Sequence, residues 1–179
     1  YLVLSVHLVL QTDAAATVRY ADVRDRLGLD DPDVAPGSVT LRQVRETVLS
    51  IRRGKGMVVD PNDADSRSAG SFFVNPVVAV ATADQVERDL AADGPMPRYP
   101  IGQGDDHTKL SAAWLIERCG MDKGYGTGPV GLSSKHTLAL VNRGGASAEQ
   151  VLNFSNHVRE RVEQMCGIRL DREPVLLGF

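Results

Sequence analysis

AGSFFVNP, residues 69–76, is the stretch from which the rest of the chain is best read. Ala69-Gly70 leaves the backbone uncrowded just before a hydroxyl, so Ser71 can project into a cleft. Phe72 and Phe73 would anchor the turn from both sides, and Asn75 brings an amide that donates and accepts, suited to reading a sugar or a base. The plainer alternative is a loop-to-strand junction with two core aromatics. Downstream, NPVVAVAT (75–82) reads as a strand, and Thr82 with Gln85 as the cap of a short helix through Leu90. Upstream, the polar, turn-rich DPNDADSRSAG (60–70) is the expected domain boundary.

Farther toward the N-terminus, LVLSVHLVL (2–10) alternates as a strand, with Leu4, Val6, Leu8 and Leu10 on one face. Thr40 and Gln43 form a capping-box pattern that opens a helix through Val44, Val48 and Ile51, ending at Gly54-Lys55-Gly56. Toward the C-terminus, GPMPRYP (94–100) must be extended, because its prolines forbid a helix. Ser111 to Cys119 is a compact helix closed by Gly120, and HTLALVN (136–142) is a strand. Ser147 with Gln150 opens the clearest helix, carrying Val151, Phe154, Val158, Val162 and Met165 on one stripe and stopping at Gly167. A strand over 174–178 closes the chain. This order predicts an α+β fold rather than a doubly wound parallel sheet.

The 179 residues suit one ordinary domain or two small ones, and 42% hydrophobic with 24% charged residues is the composition of a globular protein. The formal net charge of −3 argues against a nucleic-acid partner, since a phosphate-reading surface needs a basic excess. The apolar run at 2–10 is too short to span a bilayer. Cys119 and Cys166 each end a predicted helix and fit no metal spacing; two free, mostly buried thiols are expected, with a single disulfide as the alternative. Tyr1 opens directly into a strand-like run, an odd place for a natural chain to begin. There is no dinucleotide fingerprint, phosphate loop, nucleophile elbow or zinc-protease motif, and RRGKG (52–56) lacks the spacing of a phosphate loop. Asp105-Asp106-His107 are adjacent loop residues that cannot all face one ion, so no metal site is expected. Asn153-Phe154-Ser155 fits the glycosylation pattern but lies inside a predicted helix.

Five further landmarks accompany GSFFVNP: VRY (18–20), IRRGKGMVVDP (51–61), RYP (98–100), TKLSAAWLIE (108–117) and REPVLLG (172–178). With SSKHTLALVNRG (133–144), this series closely resembles the UDP-N-acetylenolpyruvoylglucosamine reductase (UDP-N-acetylmuramate dehydrogenase) family, flavoenzymes of peptidoglycan precursor synthesis. The resemblance is to the C-terminal part, in the branch with a tyrosine-bearing loop, which Tyr20 matches. It implies that residues 1–58 are the end of an FAD-binding domain, 59–166 a substrate-binding domain, and 167–179 a strand returning to the flavin domain. The chain would then be a fragment, inactive without its N-terminal flavin domain.

In this family NADPH reduces FAD, and the flavin passes hydride to the enolpyruvyl double bond of UDP-N-acetylglucosamine enolpyruvate in the cytoplasm. By resemblance, Ser71 is the proton donor and Glu173 the second acid/base group, beside the substrate carboxylate. Arg52 and Lys55 match positions that meet anionic groups of the substrate. Tyr20, Asn75, Tyr99 and Lys109 match contacts to the uridine-diphosphate sugar, with Lys109 expected just before a helix N-terminus. His136 falls where some relatives carry an amide that touches the nucleotide. No residue here is matched to the flavin. Neither nucleic acid nor a membrane is an expected partner. The competing reading is a stand-alone nucleotide-sugar-binding module without redox activity.

Overall fold

The computed structural model describes residues 3–10, 15–30, 37–90, 94–102 and 106–178. The chain divides into two compact units, Tyr1–Arg53 and Gly54–Phe179.

In the first unit, helix α1 (Ala21–Arg26) has Asp22 in its first turn and Arg24 and Arg26 in its last, complementing the helix dipole. Arg24 folds the following turn by donating to both Asp30 Oδ1 (2.6 Å) and the Leu29 carbonyl (3.2 Å). Sequence periodicity gives no sign of this helix, because Val23 is its one buried side chain. Helix α2 (Leu41–Gly54) starts where expected. The Thr40 N–H donates to Gln43 Oε1 (2.8 Å) and the Gln43 N–H to Thr40 Oγ1 (3.2 Å), a complete capping box. The strand expected over 2–10 is not formed among the described residues 3–10. Leu2 lies outside them. Leu4 and Leu8 are 88% and 75% exposed. Alternation makes a segment fit for a sheet, but a strand exists only when a neighbour takes its backbone hydrogen bonds.

The second unit contains β1 (Ser68–Ser71), β2 (Val77–Ala79), α3 (Val80–Leu90), β3 (Arg98–Tyr99), β4 (His107–Leu110), α4 (Ala112–Arg118), β5 (Val130–Leu132), β6 (Ala139–Asn142) and α5 (Ala148–Cys166). Its strands form two antiparallel three-stranded sheets, ordered β1-β6-β5 and β2-β4-β3. This is a mixed fold of small sheets and helices. The core packs Phe72, Phe73, Leu110, Leu115, Ile116, Val158, Val162 and Leu170 between α4, α5 and the sheets. Helix α5 keeps its capping box, with the Ser147 N–H bonded to Gln150 Oε1 (2.9 Å) and the Gln150 N–H to Ser147 Oγ (3.2 Å). It stops at Gly167, whose left-handed φ of 70° suits a residue without a Cβ. Helix α4 is capped by Ser111, whose Oγ accepts from the Trp114 N–H (3.3 Å).

Several boundaries move. The strand expected over 75–82 shortens to Val77–Ala79, because four-residue β4 offers ladder partners to those three only. The helix therefore begins at Val80, ahead of the expected Thr82 cap. The strand expected over 136–142 shrinks to Ala139–Asn142, since a turn takes its first residues, with the Ala139 N–H donating to the His136 carbonyl (3.0 Å). Residues 174–178 form no strand; Val175 and Leu177 are 82% and 75% exposed, and the one bridge nearby joins Phe73 to Arg172. The polar stretch 60–70 lies inside the second unit, where it pins the loop 133–137. Asp63 pairs with Lys135 Nζ (2.7 Å), and Asp65 accepts from the Ser134 N–H (3.1 Å) and hydroxyl (2.5 Å).

Both cysteines are free thiols. Among the described residues, no helix is long and apolar enough to cross a membrane, and no group of three His, Cys, Asp or Glu could hold a metal ion. Asp105 lies outside the described residues; Asp106 Oδ1 and His107 Nδ1 are 2.6 Å apart.

Candidate active site

Ser71 is the last residue of β1, half-buried, and its hydroxyl makes no hydrogen bond among the described residues. The segment after it is held on both edges. On one side, Ser71 is in register with Ala139, and the Phe72 N–H donates to the Leu138 carbonyl (2.8 Å). On the other, the Val74 N–H donates to the Asp171 carbonyl (2.9 Å) and the Glu173 N–H to the Phe72 carbonyl (3.0 Å), framing the Phe73–Arg172 bridge. Glu173, exposed at its side chain, is thus tied by backbone to the residue after Ser71. Arg172 fixes that tail to α5, donating to Ser155 Oγ (2.9 Å) and to Asn156. Burial holds the Arg172 guanidinium below its ordinary pKa.

Asn75 leaves the same segment on the opposite flank. Its Oδ1 accepts from the Ala112 N–H (2.9 Å) at the start of α4, leaving its NH2 group as the free donor. Lys109 sits in the middle of β4, paired with Val77 on one side and Tyr99 on the other. It stands two residues before Ser111, the N-cap of α4, as expected; within the strand Thr108 and Leu110 alternate inward, while His107 and Lys109 are exposed. The β2-β4-β3 sheet therefore sets Lys109 between Tyr99 and Val77, and Val77 is two residues after Asn75.

The His136 imidazole is oriented by its own loop. Ser133 Oγ, fully buried, accepts from the N–H groups of Lys135 (3.0 Å) and His136 (3.2 Å). His136 Nδ1 accepts from the Leu138 N–H (3.2 Å), so in the neutral ring the proton sits on Nε2. Burial pushes the His136 pKa below its ordinary 6.5, and the positive charges of Lys55 and Lys123 push it further, against an opposing Glu117. Glu117 also accepts from the buried Thr137 hydroxyl (2.9 Å), linking α4 to this loop. Above pH 6.5 the ring is neutral in both folded and unfolded chains. As the pH falls through 6.5 toward the lower folded value, the unfolded chain takes up the proton first and stability declines. In the full-length protein, Lys55→Met should raise the His136 pKa toward 6.5, read from imidazole NMR shifts. An unmoved or lower value would remove the Lys55 charge as a cause.

The structure thus brings Ser71, Asn75, Tyr99, Lys109, His136 and Glu173 into one unit, with Lys55 close enough to act electrostatically on His136. Lys55 follows the last residue of α2 and stands in a turn, so it does not share a helix face with Arg52. Arg52 is exposed in the last turn of α2, and Tyr20 is the 80% exposed N-cap of α1; both belong to the first unit. Sequence reasoning missed Arg172, Glu117 and Ser133, whose roles depend on partners distant in the chain or on a local turn. Surface cavities lie elsewhere in the unit. One, of about 580 Å³, lies between loop 125–130 and Phe154 and His157 of α5, and one of about 450 Å³ is lined by Arg67, Phe72 and Val151. Neither is lined by the expected site residues.

Residues 60–177 match the family model described as UDP-N-acetylenolpyruvoylglucosamine reductase, C-terminal domain. The chain belongs to that family. Relatives named UDP-N-acetylenolpyruvoylglucosamine reductase include one from Thermobifida fusca, 49% identical over 90% of this chain and 45% of the relative. Another, from Streptomyces avermitilis, is 46% identical over 99% of this chain and 49% of the relative. A third, from Mycobacterium tuberculosis, is 51% identical over 75% of this chain and 37% of the relative. The chain spans about half the length of the curated UDP-N-acetylenolpyruvoylglucosamine reductases it matches.

Proposed function

We propose that this chain supplies the substrate site and proton donor of a cytoplasmic UDP-N-acetylenolpyruvoylglucosamine reductase, which makes UDP-N-acetylmuramate for peptidoglycan synthesis. One observation carries the reading: the Glu173–Phe72 backbone bond ties the expected second acid/base residue to the strand that carries the expected proton donor, Ser71. A stand-alone nucleotide-sugar-binding module would have no use for that pairing. In this proposal residues 1–58 end a flavin domain, 59–166 form the substrate domain, and the tail 167–179 returns to the flavin domain.

Ser71 Oγ and the Asn75 NH2 group have no hydrogen-bond partner among the described residues, and no residue of this chain is matched to the flavin. The residues therefore fit the substrate half of the reaction, and none is assigned to hold FAD. When bound and reduced by NADPH, the cofactor supplies the hydride. The chain's own residues do the rest. Ser71 Oγ gives its proton to the substrate carbon left with the electron pair, a task a serine performs only where its surroundings stabilise the alkoxide. Glu173 polarises the substrate carboxylate region, and Arg52 and Lys55 hold the anionic groups. The Asn75 amide, Tyr99, Lys109 and Tyr20 orient the uridine-diphosphate sugar. Neutral His136 offers its Nε2–H as the donor that an amide supplies elsewhere.

The test is NADPH oxidation by the full-length, flavin-loaded protein with UDP-N-acetylglucosamine enolpyruvate. Stoichiometric formation of UDP-N-acetylmuramate is expected. Tight binding of the nucleotide sugar with no NADPH consumption would establish the binding module instead.

A further inference from the structure

We infer that Arg143 is a positioning residue for the His136 side of the site: its guanidinium gathers the backbone carbonyls of the loop that holds the His136 turn. The inference rests on the role proposed above for His136 toward the nucleotide. SSKHTLALVNRG (133–144) contains this arginine, and the proposed reaction otherwise leaves it without a task.

Arg143 directly follows β6, and its backbone N–H donates to the Pro129 carbonyl (2.8 Å). Its Nη1 donates to the Gly126 carbonyl. Its Nη2 donates to the carbonyls of Gly124 (2.8 Å), Tyr125 (3.4 Å) and Leu132 (3.4 Å). Four carbonyl dipoles aimed at one point repel one another, and a forked cation with only donors offsets that repulsion. The fork has a fitted seat. Gly131 is buried in β5, in register with Val141, and the three nearest atoms that a Cβ there would meet all belong to the Arg143 guanidinium. A side chain at position 131 and the fork cannot occupy that space together.

The clamped loop is stitched directly to the His136 turn. The Leu132 N–H donates to the Tyr125 carbonyl (2.9 Å), and the Gly124 N–H to the Ser133 carbonyl (3.0 Å). The Ser133 N–H donates onward to Ala139 (2.8 Å), while its hydroxyl accepts from the Lys135 and His136 N–H groups. Ser133 is thus held by the clamped loop on one side and sets His136 on the other. Among the described residues, Arg143 bonds to none of the candidate site residues. Its influence on a bound nucleotide runs through His136.

The test uses the full-length, flavin-loaded protein and UDP-N-acetylglucosamine enolpyruvate. Arg143→Met should raise KM about three- to tenfold, the worth of one hydrogen bond. Its kcat should stay within about twofold of wild type, as expected for lost uniform binding. Gly131→Ala displaces the fork and keeps the arginine, so it should raise KM in the same direction, and it carries the test if Arg143→Met does not fold. In a His136→Ala background neither change should raise KM further. An equal rise in that background, an unchanged KM in the folded single variants, or a fall in kcat alone would overturn the proposal. Imidazole NMR of the substrate-free protein reads the clamp without turnover. The His136 ring resonances should move in both single variants, and unmoved resonances would also overturn it. Wild-type protein that binds the nucleotide sugar but consumes no NADPH would end the reductase reading alone; the same comparisons then stand in Kd.

Discussion

Replacing Ser71 by alanine in the full-length protein should leave reduction of the flavin by NADPH nearly intact. It should slow formation of the saturated product about 10²–10⁴-fold, the usual contribution of a positioned proton donor. The two half-reactions separate by stopped-flow absorbance of the flavin followed by mixing with substrate. The prediction stands on the position of Ser71: it ends β1, half-buried, with its hydroxyl unclaimed by any described residue. Removing one oxygen there breaks no described hydrogen bond, so a folding defect is not the expected cause of a loss. Equal slowing of both half-reactions would count against Ser71 as the donor. A Ser71→Cys variant, with a more acidic group at the same site, should recover part of the rate.

Phe73→Ala should destabilise the second unit by about 3–5 kcal/mol, the range for a large aromatic removed from a packed core. Phe73 is 1% exposed, meets Phe72 edge-on with ring centroids 5.6 Å apart, and is bridged to Arg172 by backbone. The segment between Ser71 and Asn75 is pinned at this point, so the ring also holds both ends of the candidate site in register. Chemical denaturation should show a lower midpoint, and the folded fraction should bind nucleotide sugar more weakly than wild type. A loss below about 1 kcal/mol would mean that the site collapses around the cavity more readily than its packing implies. Phe73→Leu, which keeps most of the apolar volume, should recover much of the stability.

Long helices with explicit punctuation were legible in the sequence. Thr40–Gln43 and Ser147–Gln150 are capping boxes in both sequence and structure, and Gly167 ends α5 as its position suggests. Short strands were not. SAGS, HTKL and VGL have too few apolar residues to display a period of two, and each becomes a strand only because a neighbour accepts its ladder. The converse failure occurs at 3–10 and 174–178, where a strand-like pattern has no partner among the described residues. At the candidate site, Ser71 and Asn75 stand out in AGSFFVNP itself, whereas Glu173 was marked by family resemblance alone. Their grouping depends on bonds such as Glu173 to Phe72 and Asn75 to Ala112, which join residues that no local window spans. The neutral state expected of His136 was also hidden, since it arises from burial and from the charges of Lys55 and Lys123.

Helix α4 is short, yet it is gripped at three levels. Asn75 holds the Ala112 N–H at its start, Glu117 receives the Thr137 hydroxyl, and Arg161 reaches the Cys119 carbonyl at its end. A point substitution can remove one of these grips and leave the others in place. Deleting a single residue between Ala112 and Cys119 would rotate everything beyond it by about 100° and break register with two partners at once. Sequences that share this architecture should therefore vary in side chains along this helix far more readily than in its length, and insertions should collect outside it.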